Sequence, residues 1–310
     1  MTAFLRGASQ APVRCPQDVG KRTDDAMTSN LRPDFPSDSA QIRDAWNAIA
    51  TGYDEYVTPT HLSLANDALD RIDLRPGSRF LDVAAGSGAL GLAAARRGAE
   101  VLGIDISPGM IDGLNDNARR LGLTNLSGRV MDGQGLDLDD DTFASAGSMF
   151  GVMLFPDMPR GLREMARVTE PGGKVLMITF GPPSGVEFLQ FFLSAAKQVV
   201  PGFSGLPTDP PPLPFQVSDP GKLHQAMRDA GLDAVQVDTV SETQEFDSAE
   251  DLWNWLANSN PIGSKMTTSL APEHAASVRQ VLGRMLDERS GGIGPARLTN
   301  PINIAVGTAS

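Results

Sequence analysis

Residues 79–91, Arg-Phe-Leu-Asp-Val-Ala-Ala-Gly-Ser-Gly-Ala-Leu-Gly, restrict the fold more than any other stretch of this chain. A short apolar run, Phe80 to Val83, ends in small residues and opens into an amphipathic segment beginning at Ala89. That order reads as a strand, a tight turn and a helix. Gly86 and Gly88 permit positive φ and let bare main chain approach a ligand that side chains would exclude. The helix behind them offers unpaired N–H groups at the positive end of its dipole. Such a turn belongs in an open α/β sheet, and it suits the nucleotide-like part of a cofactor.

Gly86-Ser87-Gly88-Ala89-Leu90-Gly91 also spells the dinucleotide pattern G-x-G-x-x-G, which alone decides little. Two acids shift the reading. Asp82 stands at the strand end before the glycines, where it can accept from a cationic amino-acid group or from N–H groups of the turn. A pyrophosphate gains nothing from an anion there, because like charges repel. Val101-Leu102-Gly103-Ile104-Asp105 is a second apolar strand, and its terminal acid is placed to take both hydroxyls of a ribose. Asp105 argues for an adenosine cofactor, and Asp82 for S-adenosylmethionine over NAD.

The segment Leu81-Asp82-Val83-Ala84-Ala85-Gly86-Ser87-Gly88 resembles the first motif of class I S-adenosylmethionine-dependent methyltransferases, in the form of the ubiquinone/menaquinone-biosynthesis branch. Ile104-Asp105-Ile106-Ser107-Pro108-Gly109-Met110 is similar to the ribose-binding second motif, and Val130-Met131-Asp132-Gly133 to the adenine-contacting acid. Glu170-Pro171-Gly172-Gly173-Lys174-Val175 resembles the turn before the fifth strand. The likeness covers residues 40–181, and Ala84 replaces the family's usual first glycine. It implies a Rossmann-like, seven-stranded mixed sheet, its last strand antiparallel between the fifth and sixth, with helical lid insertions. It also implies S-adenosyl-L-methionine as cofactor. Ala84, Gly86 and Gly88 would pass beneath the methionine portion, and Asp82 would orient its ammonium. Asp105 and Ile106 would hold the ribose, Met110 would pack on adenine, and Asp132 with Gly133 would take the adenine amino edge. Local roles stay open beside these: Asp82 as a cap of the turn, Asp105 as a helix cap, Met110 as core.

Composition excludes several partners. The 310 residues carry a net charge of −12, and no five-residue basic run occurs, which disfavours a nucleic-acid partner. The apolar stretch Phe188–Val200 is interrupted by Gln190 and Lys197, so no membrane span is expected. One cysteine, Cys15, gives neither a disulfide framework nor a cysteine metal site, and a reducing, cytoplasmic setting fits best. No histidine pair or acid cluster at metal-ligand spacing appears, so no metal is expected. A monomer or homodimer is expected.

Residues 1–38 show neither helical nor alternating periodicity and read as a disordered extension, with Met27 as an alternative start. Residues 39–310 read as one domain. Within it, 39–75 form an N-terminal helical lid with helices from Ser39 and over His61–Ile72, and 76–181 form the cofactor-binding core. Residues 182–219 and 241–300 are substrate-cap insertions. Strands are expected at 79–83, 101–105, 126–130, 143–149, 174–180, 234–240 and 303–307. Helices begin near Ala89, Pro108 and Pro156, and further helices cover 186–200, 220–230, 248–257 and 272–289.

Both insertions are rich in large apolar groups. Phe188, Phe191, Phe192 and Phe203 mark the first, and Trp253, Trp255, Ile262 and Met266 the second. They suit a small apolar or aromatic methyl acceptor. Trp253 and Trp255 cannot share one helical face, so one is expected to meet pocket or solvent. Methyl transfer needs a general base only when the nucleophile keeps a proton. The candidates are His61 and Asp157, with Tyr53 as a positioning group. The expected activity is transfer of a methyl group to carbon or oxygen of a small molecule. An NAD(P)-dependent oxidoreductase and a non-catalytic S-adenosylmethionine-binding protein are the alternatives.

Overall fold

The computed structural model describes residues 39–310, and the expectation for residues 1–38 lies outside the described residues. The chain enters as helix α1 (Ser39–Gly52), passes through a π-helical turn at Tyr53–Val57 and continues as α2 (Thr58–Leu69). The wider turn ends where Pro59, which has no N–H to donate, interrupts the α-helical ladder. Strands and helices then alternate: β1 (Arg79–Val83), α3 (Ala89–Arg96), β2 (Glu100–Asp105), α4 (Pro108–Arg120), β3 (Leu126–Val130), β4 (Phe143–Met149), α5 (Met158–Val168) and β5 (Thr169–Phe180). After β5 come α6 (Glu187–Val199), α7 (Pro220–Asp229) and β6 (Leu232–Phe246). The chain closes with α8 (Ala249–Ser259), α9 (Pro261–Thr268), α10 (Pro272–Ser290) and β7 (Ala296–Ala309).

These strands form one seven-stranded sheet in the order β3-β2-β1-β4-β5-β7-β6. β1 to β5 are parallel, and β7 runs antiparallel between β5 and β6, as the resemblance implied. The crossover direction reverses between β1 and β4, so the crevice above their carboxyl ends is the expected ligand position. Apolar strands flanked by helices bury both faces: Phe80, Leu81 and Val83 of β1, and Val175 to Ile178 of β5, are all enclosed.

Several boundaries differ from expectation for identifiable reasons. β5 begins five residues early, at Thr169, because the Pro171-Gly172-Gly173 turn is absorbed as a register shift against β4 between Phe143 and Ser145. β6 and β7 run well past 234–240 and 303–307, pairing Ser241↔Pro301 through Phe246↔Ala296. Ser-Glu-Thr-Gln-Glu reads as a loop by composition, yet its side chains alternate between faces as a strand requires. α2 starts at Thr58 rather than His61, and Leu64, Ala65, Ala68 and Leu69 bury it in the core. α9 had no expected counterpart, although Asn260-Pro261 is a cap followed by a first-turn proline: Gly263 N–H donates to Asn260 Oδ1 at 2.9 Å.

The tryptophans correct a further expectation. Trp253 and Trp255 are both buried, because α8 is packed on two sides. Trp253 meets Phe192 and lies under the Arg279 guanidinium, while Trp255 meets Phe188, Phe246 and His61.

Candidate active site

The glycine turn closes the end of β1. Ala84, Gly86 and Gly88 have φ of 55°, 55° and 102°. Ala84 occupies the left-handed region at a cost that glycine would avoid, and Phe150, after β4, does the same at 57°. Gly151 accommodates Ala84, since a Cβ at Gly151 would collide with the Ala84 methyl. At Gly86 a Cβ would come within 3.0 Å of the Tyr53 ring, which roofs the turn.

A cleft opens above this turn. Its margin carries Ala84, Gly86, Asp105, Ile106, Met110, Asp132 and Gly133, seven of the nine expected cofactor contacts, together with Tyr53. Asp105 borders it. One carboxylate oxygen accepts from Gly86 N–H at 3.0 Å and the other from Ser107 N–H at 2.9 Å. Burial pushes its pKa up to about 6 against the lowering effect of those N–H groups and that of Ile106. Helix α4 is capped by Ser107, whose hydroxyl accepts from Met110 N–H, so Asp105 is not that cap.

Asp132 Oδ1 accepts from Gln134 N–H at 2.9 Å, and its other oxygen accepts from the Ser39 hydroxyl at 3.3 Å. Met110 is buried against Ile49 and Ala50 of α1, with Trp46 and Tyr53 packed beside it. Asp82 differs from the contact role implied for it. It does not border the cleft; its Oδ2 accepts from Gly91 N–H at 2.8 Å, beneath the turn, and Oδ1 has no partner among the described residues. Burial drives its pKa up to about 8, opposed by the Gly91 N–H and reinforced by Asp105. Gly88 likewise does not border the cleft, and a Cβ there would come within 3.1 Å of Leu114.

Of the three candidate catalytic groups, Tyr53 alone borders the cleft. Burial, and then the charges of Asp105 and Asp82, hold its hydroxyl well above the ordinary tyrosine range, so it stays protonated. Asp157 caps α5, its carboxylate accepting from Arg160 N–H at 3.0 Å. His61 is buried behind the cleft, its ring 4.9 Å from that of Phe150, with Nε2 unpartnered among the described residues. Burial lowers its pKa to about 4, so it is neutral at neutral pH.

Sequence reasoning missed the groups that clamp the lid to the turn. Asn47 Oδ1 accepts from Gly109 N–H at 2.8 Å, and Asn117 Nδ2 donates to Asp54 Oδ1 at 2.6 Å and to the Ser87 carbonyl at 3.0 Å. Thr58 and Ser87 hydroxyls meet at 2.5 Å. These are single polar residues on helical faces, and no spacing rule marks them.

A second cleft lies among α6, the proline-rich segment, α8 and α9. Phe180, Phe188, Phe192, Phe215, Leu256 and Met266 are among its walls. Phe150 of the first cleft stacks on Phe180 of the second at 4.6 Å between ring centroids, so this pair separates the two spaces.

Residues 80–173 match the family model described as a methyltransferase domain. A demethylmenaquinone methyltransferase of Corynebacterium glutamicum is 29% identical over 186 residues, covering 57% of this chain and 77% of the relative. One from Corynebacterium urealyticum is 34% identical over 158 residues, covering 49% of this chain and 65% of the relative. This chain is an S-adenosylmethionine-dependent methyltransferase. Over about half of its length it is similar to demethylmenaquinone methyltransferases, and the oxidoreductase alternative is set aside. The YcgJ protein of Bacillus subtilis shares the fold, with a TM-score of 0.51 at 18% identity, covering 80% of this chain and 97% of that one. The methyltransferase has, among its described residues, no helix long and apolar enough to cross a membrane.

Proposed function

We propose that the enzyme methylates a small ring-bearing acceptor of quinone type, held in the second cleft against the Phe150–Phe180 pair. One observation carries this reading: a cleft at the strand crossover that carries Asp105 and Asp132 and an apolar cleft beside it share a single aromatic wall. The names of the curated relatives agree with such an acceptor.

The residues of the first cleft fit S-adenosylmethionine. Gly86 puts bare main chain on the cleft margin, where the amino-acid portion can approach it, and Asp105 offers two oxygens to a ribose diol. Ile106 and Met110 give apolar faces for adenine, with Asp132 and Gly133 at its edge. Asp82 acts from below, holding the helix end behind the turn through Gly91. The cofactor supplies a methyl group on a sulfonium, an activated centre open to in-line displacement. Protein groups then mainly orient the partners and exclude water. Tyr53, protonated and packed over the turn, closes the cleft from the lid side.

The test is turnover of S-adenosylmethionine to S-adenosylhomocysteine against a panel of naphthols, naphthohydroquinones and aliphatic alcohols. Methylation of the hydroxylated rings and not of the alcohols is expected. Binding of the cofactor with no turnover on any ring acceptor would overturn the acceptor reading.

A further inference from the structure

The arm formed by β6 and β7 carries three side chains with buried polar atoms that find no partner among the described residues. Glu242 and Asn300 are direct partners in the antiparallel register, and Gln244 follows two residues along, so all three project from one face. That face is the inner one: Asn300 and Gln244 are 0% and 4% exposed, and Leu298, Ile302 and Phe246 beside them are buried. Both carboxylate oxygens of Glu242, Gln244 Oε1 and Asn300 Nδ2 are shut off from solvent without a hydrogen-bond partner among the described residues. Each unpaired buried group costs about 1–3 kcal/mol, and a charged one more. Natural cores rarely retain several such groups together unless a ligand or water completes them.

Position adds to chemistry. Phe180, Ile302 and Val240 form one row across β5, β7 and β6, where the parallel sheet ends. The Asn300–Glu242 row lies just beyond it, on the side where ligands bind in sheets of this kind. The Phe188 N–H approaches Asn300 Oδ1 at 3.5 Å, while the Phe188 ring lines the apolar cleft and packs on Phe180. The polar trio therefore stands directly behind a wall of the second cleft.

We propose that Glu242, Gln244 and Asn300 form a socket for the hydroxyl of a phenol- or enol-bearing acceptor, with Glu242 taking its proton. This rests on the methyltransferase reading above and names the polar end of its acceptor. A hydroxyl donates to Glu242 or Gln244, and an adjacent ring oxygen accepts from Asn300 Nδ2; a plain hydrocarbon would leave every one of these atoms unpaired. In the reaction the acceptor's O–H bond breaks and its proton passes to the Glu242 carboxylate. The electron pair left on the acceptor forms the bond to the methyl carbon, and the sulfur–methyl bond breaks with its electrons staying on sulfur. If the new bond is to a ring carbon, that carbon sheds its own proton and the oxygen recovers one from Glu242, so one proton is released overall. Burial raises the Glu242 pKa to about 7, which lets the group gain and lose a proton near neutrality.

The experiment compares 1-naphthol with 1-methoxynaphthalene, which keeps the ring and lacks the donor, by tryptophan fluorescence in the presence of S-adenosylhomocysteine. The unaltered enzyme should hold 1-naphthol at least tenfold more tightly. Glu242→Leu should bring the ratio close to one while S-adenosylhomocysteine affinity, measured by calorimetry, stays unchanged. Glu242→Gln, which preserves volume and fold, should lose at least threefold of the preference. Equal affinity of the unaltered enzyme for the two probes, no binding of either, or an unchanged ratio in the folded Gln variant would each overturn the socket. Failure of the parent reading looks different, since it would appear as no S-adenosylhomocysteine uptake by the unaltered protein.

Discussion

Asp105→Asn separates cofactor binding from stability, and the structure gives opposite signs for the two. The buried carboxylate has its pKa raised from 3.8 to about 6. A raised acid contributes stability that is fully present below its unfolded pKa and lost as pH rises through the folded one. At pH 7 the ionised group is therefore a burden of up to about 3 kcal/mol, a shift of roughly two units at 1.36 kcal/mol each. Asparagine removes that burden but offers one acceptor oxygen to two N–H groups, those of Gly86 and Ser107. The orphaned donor costs about 1–3 kcal/mol. The apo variant should thus be as stable as the parent or up to about 2 kcal/mol more stable at pH 8, with the advantage gone by pH 4–5. Cofactor affinity should move the other way, because charged hydrogen bonds to the ribose hydroxyls are worth about 1.5–3 kcal/mol, or roughly 10- to 150-fold. Urea unfolding at the two pH values, with calorimetric titration of S-adenosylhomocysteine, reads both. Unaltered affinity would refute the ribose assignment.

Other outcomes follow from the same geometry. Gly86→Val places a branched side chain at φ 55° against the Tyr53 ring and should weaken S-adenosylhomocysteine binding beyond detection by calorimetry; normal binding would exclude the turn as cradle. Asp82, pushed up to about 8 by burial, should make the apoprotein lose stability as pH rises from about 4 through 8, and Asp82→Asn should flatten that slope in urea melts. Leu206→Trp fills the second cleft and should raise acceptor KM at least tenfold with S-adenosylhomocysteine affinity intact. An unchanged KM would place the acceptor elsewhere.

The sheet and the cofactor cleft were legible because their signals are local. β1 with its glycines, and β2 ending in Asp105, are short apolar runs punctuated by residues whose backbone or charge has one obvious use. Asp82 shows where locality fails: its position in the motif was read correctly, but whether it faces the cleft or Gly91 depends on the packing of α3. Asp157 was read as a possible base, yet a carboxylate just before Met158-Pro159 serves as a helix cap. The arm of β6 and β7 was invisible to composition, since Glu242 and Gln244 look like loop residues until the strand pairing turns them inward. The lid contacts of Asn47, Asp54 and Asn117 join residues more than sixty positions apart and leave no periodic trace.

The central claim is that the turn at Gly86, with Asp105 beside it, holds a sulfonium nucleoside. Equilibrium dialysis of the folded protein with radiolabelled S-adenosylmethionine tests it directly. One equivalent taken up per chain and displaced by S-adenosylhomocysteine is the predicted result. Retention no greater than that of the folded Gly86→Val variant would contradict it.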